Sequence, residues 1–176
     1  MTSPKPWRQS LTTAISQRRS DRGTPPRVAV VGVGHELDGD DVAGVAVARE
    51  LATQAAVLDH VLVIDAGPAP ENVTGALRRF APDLIVFVDA AHLGEAPGTV
   101  EWLPWQQTEG LSASSHTLPL HMVSRYLESE LGATVALIGI QPADISQGAP
   151  VSEAVRQAVE EVAAGILAAV LPQGKG

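Results

Sequence analysis

The stretch Val28–Gly44, "VAVVGVGHELDGDDVAG", decides the architecture. An almost unbroken apolar run of strand length breaks into glycines and then into Glu36, Asp38, Asp40 and Asp41, before the helical period of Val42, Val45, Val47, Ala48, Leu51 and Ala52 begins. A buried strand, a tight turn and an amphipathic crossover helix form the opening half of a βαβ unit. The Gly-x-Gly alone suggests a dinucleotide cradle, but Leu37 stands where the third glycine belongs and the acids beside it would repel a pyrophosphate.

The same alternation continues outward. "RVAVVGV" (27–33), "HVLVID" (60–65), "DLIVFVDA" (83–90) and "ATVALIGI" (133–140) read as strands covered on both faces, while "GTVEWLP" (98–104) carries polar residues and reads as an edge strand. Helices are expected over Val42–Gln54, 71–80, the Leu120, Val123, Leu127 and Leu131 stripe, and the segment between Pro150 and Pro172. The expected fold class is α/β, a three-layer αβα sandwich with a mostly parallel sheet of about five strands, one of them an edge strand. Residues 27–170 form the single domain, residues 1–26 are a flexible N-terminal extension ending in the linker "SDRGTPP", and 171–176 are a short tail.

Composition supports this reading. A chain of 176 residues suits one core, and 45% hydrophobic with only 3% aromatic residues calls for Val, Ala, Leu and Ile packing. A net charge of -8 gives no electrostatic footprint for nucleic acid. The absence of Cys excludes disulfides, thiolate metal sites and cysteine nucleophiles. The polar, mixed N-terminus and the lack of long apolar runs point to a soluble cytoplasmic protein with no membrane partner.

Ligands of open α/β sheets gather at the carboxyl ends of the strands. Three loops place carboxylates there: the Glu36–Asp41 cluster, Asp65, and Asp89 with His92 beyond it. Carboxylates converging near a histidine suit a divalent cation, and His116 in "SSHTLPL" is the best-placed candidate. Each residue also has a plain structural reading. Asp41 suits the first turn of a helix, Asp65 and Asp89 suit strand-end turns, and His116 suits a capping loop. His60 and His121 read as surface residues. No Gly-x-Ser-x-Gly, His-Glu-x-x-His or phosphate loop is present. The residues alone therefore imply a metal or carboxylate site and name no substrate.

Taken in order, "GVGHELDGDDVAG", "VIDAGPAPEN", "LIVFVDAAHLG", "SSHTLPL" and "LIGIQP" resemble the nickel–iron hydrogenase maturation endopeptidases, in the branch serving formate-hydrogenlyase-type hydrogenases. The resemblance runs from about Arg27 to Gly165. It implies an aspartyl-type, nickel-dependent endopeptidase that removes the C-terminal extension of a hydrogenase large-subunit precursor after nickel insertion. The nickel is supplied by or shared with that precursor. Matched residue by residue, the implied metal-binding and catalytic set is Asp41, Asp89 and His116. His35 replaces the family's usual Asn, and His92 stands where relatives often carry Asp. Two other functions fit the same residues: a broader metal-dependent α/β hydrolase or aminopeptidase, and a non-cutting chaperone that checks nickel loading.

Overall fold

The computed structural model describes residues 5–20, 24–113 and 118–172. Five strands, β1 (Val28–Gly32), β2 (Val61–Asp65), β3 (Leu84–Ala90), β4 (Val100–Pro104) and β5 (Thr134–Ile140), form one sheet in the order β2-β1-β3-β5-β4. All pairs are parallel except β4 with β5. The central strands β1 and β3 are buried along their full length, which is why their sequences carry no polar alternation. β2 has an equally apolar sequence yet is only half-buried, because it forms the second edge of the open sheet.

Successive side chains of the central strands feed two cores, as the two-residue strand period requires. On one face Val28, Val30, Val86 and Val88 pack against α2 (Ala43–Ala55) and α5 (Glu153–Val170). On the other, Ala29, Val31, Ile85 and Phe87 pack against α3 (Thr74–Phe80) and α4 (Leu120–Leu131). Short 3₁₀ turns, Gly39–Val42 and Pro70–Val73, lead into α2 and α3. Val42 and residues 71–73, which the periodicity assigned to the helices, belong to these turns.

The N-terminal reading needs correction. Residues Pro6–Ser20, expected to be flexible, form a helix, α1, that packs against α5 and β4. Trp7 and Leu11 are buried in the α2–α5 core, and the Trp7 indole N–H donates to Glu161 at 3.2 Å. A tryptophan seated this way anchors the helix through apolar contact and a satisfied polar edge together. Its seat is the bare backbone of Gly165, where an added Cβ would lie 2.4 Å from the indole ring. Among the described residues no helix is long and apolar enough to cross a membrane.

Candidate active site

The carboxyl ends of the first three strands are stitched together by main-chain bonds. Val33 N–H donates to Val88, Gly34 N–H to Gly67, and Ala66 N–H to Gly32, each at 2.9 Å. The β1–α2 turn is then pressed onto this edge. A Cβ on Gly34 would lie 2.0 Å from the Asp41 carbonyl oxygen, and one on Gly44 would lie 1.9 Å from that of Val88. Only glycine permits such approaches, so the two glycines are spacers that bring the 3₁₀ turn down onto the end of β3.

That turn carries Asp41, which is fully buried, and one of its carboxylate oxygens accepts the His35 amide N–H at 2.9 Å. Asp89, next to last in β3 and also buried, accepts a hydrogen bond from the Ser112 hydroxyl at 3.0 Å. Ser112 is delivered by a returning segment that pairs antiparallel with the end of β3. Ser112 bridges Ala91, Ala113 N–H donates to the Ala90 carbonyl, and His92 N–H donates to that of Leu111. Two buried acids, one in the turn after β1 and one at the end of β3, thus share one edge, Asp41 oriented by a donor of its own turn and Asp89 by one from the returning segment. A buried carboxylate is costly unless it is hydrogen-bonded or meets a cation.

His116 lies outside the described residues. Of the described residues flanking it, Ala113 is bonded to the end of β3 and Leu118 packs against the α3–α4 core. Among the described residues no group of three or more His, Cys, Asp or Glu side chains is gathered closely enough to hold a metal ion. Carboxylates such as these two are hard oxygen donors, of the type that could hold a divalent cation if further ligands joined them.

The other acids of the edge do different work. Asp65 binds the Arg49 guanidinium at 2.9 Å and the Gly67 amide at 3.0 Å, and Arg49 also pairs with Glu36. His35 is half-exposed, with Nδ1 3.5 Å from an Asp38 oxygen, and His92 is exposed. His60 bonds the Val170 carbonyl at the end of α5.

One acid of the Glu36–Asp41 cluster has a structural role that the sequence reading did not assign. Asp40, fully buried beside Asp41, accepts from the Ser152 amide at 2.7 Å, the Ser152 hydroxyl at 2.9 Å, and the amides of Ala143 at 2.8 Å and Asp144 at 3.3 Å. Ser152 is also the N-cap of α5 and accepts the Val155 amide. Asp40 therefore clamps the β1–α2 turn to the β5–α5 connection. Within that connection, hydrogen bonds from the Ser146 hydroxyl, and secondarily its amide, hold the exposed Asp144 carboxyl below its ordinary range.

With this geometry in view, comparison with known proteins is decisive. The HycI hydrogenase maturation protease family matches residues 45–169, a span that includes Asp89 and His116 and begins just after Asp41. The chain belongs to the hydrogenase maturation protease family. The hydrogenase 3 maturation protease of Escherichia coli K12 is 34% identical over 131 residues, 74% of this chain and 82% of that protein. A putative hydrogenase maturation protease of Methanocaldococcus jannaschii is 30% identical over 136 residues, 74% of this chain and 80% of that protein. Among solved structures, the [NiFe] hydrogenase maturation protease HycI from Thermococcus kodakarensis superimposes with a TM-score of 0.81 at 31% identity. That match covers 93% of this chain and 99% of that one. The E. coli maturating endopeptidase HybD gives 0.69 at 26% identity, covering 81% and 91%. The protein is a protease of this family, on the family's α/β fold.

Proposed function

We propose that this protease removes the C-terminal extension of a nickel–iron hydrogenase large-subunit precursor in the cytoplasm, once nickel has been inserted. The observation that carries the reading is the pair of buried acids, Asp41 and Asp89, held by His35 and Ser112 at one sheet edge in a chain of this family.

In this proposal Asp41, Asp89 and His116 receive the precursor's nickel as part of the substrate. The ion supplies positive charge that attracts the two carboxylates and polarises a peptide carbonyl near it. The protein's own contribution is positional. The His35 amide fixes one oxygen of Asp41, the Ser112 hydroxyl fixes one of Asp89, and the Gly34 and Gly44 approaches keep the two on one edge. A carboxylate so held beside the scissile bond takes the proton of the attacking water, which is the aspartyl-type role. A precursor without nickel lacks the cation that docks it to the two acids, so in this reading the loaded form is the one selected.

The test mixes the protein with nickel-loaded and nickel-free precursor and follows the intact mass of the large subunit. Shortening of the loaded form alone is expected. Equal shortening of both forms removes nickel recognition, and no shortening of either removes the processing role.

A further inference from the structure

β4 is bonded to the sheet on one side only. Its entry is a bulge: Gly98 N–H donates to the Gln141 carbonyl at 2.8 Å, and Gln141 N–H donates to the Thr99 carbonyl at 2.9 Å, with Gly98 at φ +83°. Antiparallel pairing alternates from that point. In the register of β4 with β5, Glu101 and Leu103 bond inward to Gly139 and Leu137, while Val100 and Trp102 turn their N–H and C=O groups outward. Among the described residues no backbone or side-chain group bonds those outward atoms.

Natural edges are normally blunted or covered, because unpaired main chain is a template for another strand. Here a groove runs beside the edge, with α1 as its far wall. One section of about 530 Å³ lies between α1 and the sheet, against Ser10, Thr13, Trp102 and Pro104 and reaching Thr134 and Ala136 of β5, and another of about 490 Å³ lies against Trp7 and Glu101. The edge also begins level with the active site. Glu101 pairs with Gly139 and Gly139 with Asp89, so the three share one row across the sheet.

We propose that β4 takes the precursor's C-terminal extension as an added sixth strand and so presents the scissile bond to Asp41 and Asp89. The proposal rests on the processing role above and specifies how the extension is held. A strand added to β4 lies three strand spacings from β3, roughly 14 Å, which about four or five extended residues span. Main-chain pairing holds a segment with little demand on its side chains, the general mode of peptide capture at a sheet edge. Charge narrows the occupant further. Glu95 and Glu101 border the groove and make no ion pair among the described residues, which favours an extension with Lys or Arg at alternate positions.

Amide exchange, pulse-labelled in the full-length protein with and without saturating nickel-loaded precursor, reads the alternation directly. Val100 and Trp102 amides are expected to slow by about tenfold or more, while Glu101 and Leu103, already bonded to β5, stay unchanged. Exchange unaltered at Val100 and Trp102 while the precursor is shortened overturns the edge proposal and leaves the processing role standing. Failure of shortening in the same samples overturns the processing role itself. Slowing without precursor that grows with protein concentration identifies a second copy of this chain as the occupant and also overturns the proposal. Val100→Pro removes one outward donor without touching the β5 ladder and is expected to raise KM about tenfold at nearly constant kcat. Glu101→Lys, which leaves the backbone intact, is expected to raise KM for the same precursor and keeps the test valid should the proline variant not fold.

Discussion

Asp40 and Asp41 are neighbours in sequence and equally buried, yet they belong to two different regions. Asp40 faces the β5–α5 connection and takes its donors from Ala143, Asp144 and Ser152, a set that joins two loops and the start of α5. Asp41 faces the end of β3 and takes the His35 amide from its own turn, on the edge it shares with Asp89. Burial alone therefore does not mark a functional acid. What separates the two is the region each addresses: one binds the fold to itself, the other lies on the edge proposed to receive the precursor.

The largest effect should come from breaking the Asp41 side. Asp41→Asn or Asp89→Asn keeps size and hydrogen bonding but removes charge, and precursor shortening is expected to fall on the order of a thousandfold. The melting temperature should move by only a few degrees. A single-turnover assay beside a thermal melt checks this, and a variant with full activity refutes the assignment.

The reverse pattern is expected for Asp40. Asp40→Ala leaves the Ser152 and Ala143 donors without their acceptor and loosens the α5 cap, at a cost of about 3 kcal/mol. Urea unfolding should show that loss. Shortening should fall much less than in the Asp41 variant once rates are corrected for the folded fraction. Equal catalytic defects in the two variants would erase the distinction between the regions.

The contrast also explains how much was legible in the sequence. Sheet, crossover helices and the carboxyl-edge location of Asp41 and Asp89 followed from apolar runs and the chain order of an α/β fold, because buried parallel strands and amphipathic helices write strong periodic signals. Asp40 left no such signal. Its role depends on loops more than a hundred residues away, and nothing local distinguishes it from Asp41. The edge position of β2 was hidden because its side chains are as apolar as those of β1, although its register leaves one side unpaired. The N-terminal helix carries a weak signal of its own. Trp7, Leu11, Ala14 and Ile15 follow the helical period, but a charged, Ser/Thr-rich background and the following "GTPP" favoured an extension.

That helix belongs to the structural packing and stands apart from the active edge. Trp7→Ala empties the seat on Gly165 and is expected to destabilise the fold by about 3 kcal/mol. Gly165→Ala should also destabilise it, against the ordinary helix preference for Ala over Gly, because the new methyl meets the indole. Denaturation of both variants checks the pair. A stabilised Gly165→Ala variant would contradict the packing of α1 on α5.

The smallest expected effect lies at the same edge as Asp41 but on its solvent side. Arg49 joins Glu36 of the first loop to Asp65 at the end of β2, and all three side chains are substantially exposed. Water and salt screen such pairs, so Arg49→Ala should cost under about 1 kcal/mol, and the difference from the parent protein should shrink further at high salt. Arg49 also reduces the negative potential outside the buried acids. Its loss should therefore weaken capture of a negatively charged precursor surface and favour a positively charged one, visible as a KM change with kcat unmoved. A drop in kcat comparable to that of Asp41→Asn would instead place Arg49 among the groups that act on the scissile bond, and would move the boundary between the two regions from Asp41 out to the rim.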